Sequence, residues 1–171
     1  MEILDTHPHF FTATIYEWKK LLKPDKYKQL ILDSLSFLVE NKRVYVYAFV
    51  LMDNHIHLIW QFREGHTREQ VQRDFLKFTA QQIKKDLKMH HPRVLPFFEV
   101  NLKDRKYQFW KRNPLSVDLY SAAVFEQKLV YIHQNPVKAG YVEHAEDYYY
   151  SSAKFYEEGS TEFGFLSHYE G

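Results

Sequence analysis

The chain has 171 residues, no cysteine, a formal net charge of +1 and 18% aromatic residues, among them 13 Tyr and 14 Phe. That length suits a single domain over 1–171 with a core of its own. The missing cysteines exclude disulfides, thiolate metal sites and a cysteine nucleophile, and the near-neutral balance argues against a nonspecific nucleic-acid coat protein.

No apolar run reaches eighteen residues, and Met1 to Asp5 carry neither a basic start nor a cleavable apolar segment, so a soluble cytoplasmic protein is expected. The charge is unevenly spread: 63–112 holds thirteen Lys or Arg against six Asp or Glu, whereas 141–171 holds one Lys against seven acids. The middle of the chain can therefore offer a basic surface to phosphates, although solvated helix faces would give the same count.

The first predicted element is a strand over 9–18, with Phe11, Ala13 and Ile15 on one side and Phe10, Thr12, Thr14 and Tyr16 on the other. Pro24-Asp25 opens a helix to about Asn41, whose apolar residues Tyr27, Leu30, Ile31, Leu35, Leu38 and Val39 recur at spacings of three and four. Two strands follow, Val44 to Met52 and His55 to Phe62, separated by the turn signal Asp53-Asn54.

Thr67 with Gln70 forms a capping box for a helix that turns Val71, Phe75, Phe78, Ile83 and Leu87 inward and ends near His90-His91-Pro92. After an irregular stretch, Lys103 to Arg112 reads as a strand bracketed by basic residues, and a last helix begins near Val117 to Ser121 and carries Val124, Leu129 and Ile132. Strand, helix, strand, strand, helix, strand is the ferredoxin-like, RRM-like split βαβ order: an α+β fold with a four-stranded antiparallel sheet, two helices on one face and an additional C-terminal helix. The core is expected over about 8–155, with an acidic tail over about 156–171 that has little pattern and is expected to be loosely held.

Two stretches carry chemistry. In Asp53-Asn54-His55-Ile56-His57-Leu58 the two histidines are two apart on a strand, so their imidazoles share a face, where they can hold a divalent metal. Taken alone, such a pair is more often incidental. In the last helix Gln127, Tyr131 and Asn135 fall on one stripe, with Lys138 close by. Pro136 disfavours helical geometry at Asn135, placing that amide at a helix end, where it can equally be a cap. His133 points away from the stripe, Trp110 suits packing better than base stacking, and Tyr148 to Tyr150 suit anchoring of the C-terminal segment, with a substitute nucleophile there left open.

Together, Asn54-His55-Ile56-His57-Leu58 and Tyr131-Ile132-His133-Gln134-Asn135-Pro136-Val137-Lys138-Ala139-Gly140 resemble the single-tyrosine HUH transposases, most of all the REP-associated tyrosine transposases. The resemblance extends to 10–14, 108–110 and 146–152 and spans about 8–155. It implies His55 and His57 as ligands of Mg²⁺ or Mn²⁺, Asn135 as the residue completing the metal site, and Tyr131 as the nucleophile. It further implies cleavage and rejoining of hairpin-bearing single-stranded DNA through a 5′-phosphotyrosine bond, as in DNA transposition, by a protein of the cytoplasm that is nucleoid-associated when on DNA.

Arg105, Lys106, Lys111, Arg112 and Lys138 are the candidate DNA-binding cations, with Tyr107 or Trp110 as stacking platforms. Three readings remain open: a DNA-cleaving and joining enzyme, a domesticated module that binds hairpins without turnover, and an unrelated ferredoxin-like metal-binding domain. Whether the chain acts as a monomer or a homodimer is not legible.

Overall fold

A computed structural model describes residues 7–159 and 161–170. Its regular elements are, in order, β1 (His9–Thr14), α1 (Asp25–Glu40), β2 (Val44–Leu51), β3 (His55–Phe62), α2 (Arg68–His90), β4 (Leu115–Asp118), α3 (Ala122–Lys138) and α4 (Ala153–Glu158). The strands form one antiparallel sheet in the order β2-β3-β1-β4, an α+β arrangement of split βαβ type.

Period-two alternation divides the strands between two cores. Phe11, Ala13, Ile56, Leu58 and Trp60 turn toward α1 and α2, where they meet Ile31, Leu35, Phe75 and Ile83. Phe10, Val50 and Ile59 turn to the opposite face, which α3 covers with Phe125, Leu129 and Ile132. On β2 the register slips between Val46 and Ala48. The bulge leaves Tyr47 and Ala48 consecutively on the α3 face and restores Phe49 and Leu51 to the other core.

Five expectations are corrected. The segment 103–112 is not a strand: its β pairing is limited to the isolated bridges Ile15↔Trp110 and Glu99↔Tyr107. Trp110 is buried because its Nε1 donates to Thr79 Oγ1 at 3.0 Å, so the aromatic alternation there reflects packing on α2. The chain then turns at Asn113, whose φ is 57°, and the strand beside β1 is β4, where a helix start was expected. The helix begins later, at Ala122, because the Ser121 hydroxyl caps it by accepting from Val124 N at 3.2 Å.

Phe78 is 49% exposed, because Thr79 occupies the inward position of that turn and returns its hydroxyl to Phe75 O. Pro136 lies inside α3, yet so near its end that few intrahelical bonds are at stake, and Asn135 stays helical in the last turn. Finally, the tail is docked. Phe165 is buried, Phe163 and Phe165 pack on Phe49, and Ser167 N donates to Val46 O at 3.0 Å. Leu166 and Ser151 both bridge to β2, so the outer edge of the sheet is covered, as an exposed edge strand requires.

Candidate active site

The turn before β3 is fastened from below. Lys28, buried in α1, donates to Leu22 O at 2.8 Å, Lys23 O at 3.1 Å and Asp53 Oδ1 at 2.9 Å. Burial works to raise the Asp53 carboxyl, but the hydrogen bond and charge of Lys28 outweigh it and hold the group below the ordinary carboxylate range. Tyr141, just past the end of α3, donates its hydroxyl to Asp53 Oδ2 at 3.2 Å, linking the turn to the helix that carries Tyr131.

From that turn, alternation sends Ile56 and Leu58 into the α1/α2 core and His55 and His57 to the α3 face. The two rings lie 4.8 Å apart between centroids. Each has its Nδ1 engaged: His57 with Thr12 Oγ1 at 2.7 Å, across the β1–β3 register, and His55 with Asn54 Oδ1 at 2.7 Å. Such partners fix ring orientation and leave Nε2 for a ligand. Burial lowers both imidazoles, and with the charges of His55 and Lys128 it takes His57 down to about 3. Both are therefore neutral near pH 7, the form that binds metal.

Helix α3 supplies the rest. Phe125, Leu129 and Ile132 anchor it to the sheet, so a polar stripe of Lys128, Tyr131 and Asn135 runs along the His pair. Tyr131 is 44% exposed, with its ring 5.4 Å from His57 and 5.9 Å from Phe10. Asn135 Nδ2 lies 3.3 Å from His57 Nε2, and the same amide is hydrogen-bonded to His55. Gln127 is exposed; Lys128, one position on, is the residue that lies against Tyr131, with Nζ 5.5 Å from its ring.

The flanking residues fall where their types suggest. His133 turns away to Ser152 Oγ at 2.8 Å, and burial lowers it to about 4. Tyr148 donates its hydroxyl to Leu51 O at 2.6 Å, and Leu51 N donates to Tyr150 O, so this segment anchors the C-terminal part to β2.

Among the described residues no group of three or more His, Cys, Asp or Glu can hold a metal ion. Two neutral imidazoles with Nδ1 engaged elsewhere, and an amide that meets His57 Nε2, form a smaller donor set that still fits a divalent cation. Asn135 would turn its Oδ1 inward, and the remaining positions would stay open, as a catalytic metal needs. Thr12 and the supporting role of Asn54 escaped the sequence reading, although the same period-two rule that pairs the histidines places Thr12 on their face.

The predicted cations divide. Arg105, Lys106, Lys111 and Arg112 line a groove of about 750 Å³ together with Arg73, Lys77 and Lys84 of α2. Asp104 pairs with Arg105 at 3.0 Å and Arg112 at 3.7 Å. Tyr107 stands in this groove with Lys84 and Lys106 each 5.5 Å from its ring. Lys111 N donates to Thr14 O, and Thr14 pairs with His55, so the groove adjoins the strands that bear the His pair. Lys138 lies elsewhere, exposed in the last turn of α3.

No protein-family model and no curated protein matches the sequence. Among solved structures, the chain is similar to a REP-associated tyrosine transposase bound to a REP hairpin, with a TM-score of 0.68 and 16% identity over 100% of this chain and 97% of that one. A candidate transposase from Deinococcus radiodurans R1 is similar at a TM-score of 0.49 and 13% identity, over 78% of this chain and 92% of that one. The fold is thus that of the REP-associated tyrosine transposase along the whole chain. No helix among the described residues is long and apolar enough to cross a membrane.

Proposed function

We propose that the chain is a single-tyrosine HUH transposase of the REP-associated kind. On this reading it cleaves and rejoins single-stranded DNA beside hairpins through a 5′-phosphotyrosine bond. The observation that carries the reading is the half-exposed Tyr131 lying 5.4 Å from His57, beside two imidazoles whose Nδ1 atoms are engaged on the sheet and whose His57 Nε2 faces the Asn135 amide. The shared fold supports it, and so does the hairpin bound by the similar protein.

A phosphodiester resists attack because its own charge repels nucleophiles. Mg²⁺ or Mn²⁺, held by His55, His57 and Asn135, would supply the Lewis acidity that polarises phosphorus. The chain does the rest. Thr12 and Asn54 hold the imidazoles in position, Lys28 and Asp53 fix the turn, and Tyr131 presents its Oη to phosphorus from a rigid helix. The Oη–P bond forms as P–O3′ breaks, the phenolic proton passes to solvent, and the 3′ oxygen takes a proton and leaves as a free hydroxyl. The covalent bond stores the energy for rejoining.

The groove from Arg73 to Arg112 would hold the backbone of the hairpin, with Tyr107 as a face on which an unpaired base can stack. Buried Trp110 is not available for that role.

The test is an adduct assay on a denaturing gel, with end-labelled hairpin-bearing single strands and Mg²⁺ or Mn²⁺. Labelled protein that disappears with Tyr131→Phe and with a chelator is the expected result. Salt-sensitive hairpin binding with no adduct from any repeat of the source genome would instead make the chain a binding module. Metal binding without affinity for single strands would leave only a metal-binding domain.

A further inference from the structure

The stripe on α3 contains one residue that the proposed chemistry does not yet use. Lys128 lies three positions before Tyr131, with Nζ 4.8 Å from the centre of the Phe10 ring and 5.5 Å from that of Tyr131. Some helix-borne lysines are matched to acids, Lys28 to Asp53, Lys26 to Asp86 and Lys154 to Glu158. Among the described residues no carboxylate pairs with Lys128. Its ammonium is held by two aromatic faces, which orient a cation without neutralising it. The charge is felt at the His pair, where it helps to keep His57 neutral.

Position along the helix sets what this charge can reach. Asn135, Tyr131 and Lys128 stand over His57, over the space between His57 and Phe10, and over Phe10, in that order. At 1.5 Å rise per residue, Lys128 is roughly 10 Å along the axis from Asn135, on the far side of the nucleophile. A phosphate poised for attack by Tyr131 near the His pair leaves Lys128 facing the next stretch of backbone.

We propose that Lys128 forms a separate phosphate subsite, its ammonium holding the non-bridging oxygens of a DNA phosphodiester adjacent to the cleaved one, on the side of Tyr131 remote from His55. Lys128 is a substrate-positioning residue here: by fixing the neighbouring phosphate it sets where along the strand Tyr131 attacks. This rests on the proposed DNA-cleaving function and specifies how that site grips its substrate.

The test is a cycle between residue and phosphate, read by fluorescence anisotropy. Protein carrying Tyr131→Phe, which cannot cleave, is titrated against a fluorescein-labelled single strand with a hairpin and two unpaired arms, in versions bearing one neutral methylphosphonate walked along the arms. With Lys128 present, each contacted linkage should weaken binding several-fold when neutralised. Lys128→Gln should weaken binding to the all-phosphate strand about as much, lower the salt slope by about 1, and abolish the sensitivity at one linkage only. Lys128→Arg should keep the full profile.

An unchanged linkage profile in Lys128→Gln would overturn the subsite while leaving the adduct chemistry intact. Binding no stronger to the single strand than to duplex of the same sequence, with no adduct from active protein, would overturn the function itself and the subsite with it.

Discussion

The two faces of the sheet are built from the same strands and put them to opposite uses. Toward α1 and α2 they present Phe11, Ala13, Ile56, Leu58 and Trp60, all buried against apolar helix faces. Toward α3 the same strands present Thr12, His55 and His57, facing Tyr131 and Asn135. One face is filled to hold the fold. The other surrenders part of its apolar contact to hold a set of polar groups, each oriented by a partner. Adjacent residues on β3 thus serve different ends, and substitutions can separate them.

The sharpest separation is between His57 and Leu58. His57→Ala is expected to reduce adduct formation by about 10²-fold or more, as loss of a metal ligand should, while leaving urea stability within about 1 kcal/mol. Leu58→Ala, fully buried on the other face, should lose about 2–5 kcal/mol of stability. Equal stability losses for the two would break the division of faces. One step smaller is Thr12→Val, which removes the hydroxyl beside His57 Nδ1. It should weaken Mn²⁺ binding about 10–100-fold by calorimetry, with little effect on folding.

The α3 face should also be the acid-sensitive one. His57 and His133 are lowered to about 3 and about 4 in the fold, whereas an unfolded histidine titrates near ~6.5. The unfolded chain therefore binds the extra protons, and the stability these neutral rings contribute is full above about pH 6.5 and lost as pH falls below it. In metal-free protein each ring should account for up to about 1.4 kcal/mol per pH unit, flattening toward pH 4 for His133. Urea melts between pH 7 and 4.5 check this, and His133→Gln should make the slope shallower. The smallest effect is expected in the basic groove: Lys111→Gln should weaken hairpin binding a few-fold and reduce the salt slope by about 1.

The sequence pattern made most of this division legible. Alternation on β1 and β3 separates the two faces without any structure, and the period of α1 names its buried side. The pair of motifs brings His55, His57, Tyr131 and Asn135 into one account, and they do meet. What stayed hidden depends on contacts between elements distant in sequence. Trp110 alternates with its neighbours like a strand residue, yet its indole is drawn to Thr79, 31 residues earlier. The tail lacks any local period because its aromatics are spaced to meet Phe49 and Tyr47 on β2. Lys128 carries no signal of its own in the sequence, and only its place over Phe10 and Tyr131 distinguishes it.

The central claim is that the α3 face carries out metal-dependent covalent chemistry at one tyrosine among thirteen. Its most direct test is to trap the protein on hairpin-bearing single strands with Mn²⁺, digest both polymers, and map by mass spectrometry the residue that retains a nucleotide. The account predicts a 5′-phosphate linked to Tyr131 alone, with a free 3′-hydroxyl on the released strand and no modified peptide when the metal is chelated. A nucleotide on Tyr148, Tyr149 or Tyr150, or one on Tyr131 that persists in chelator, would contradict it.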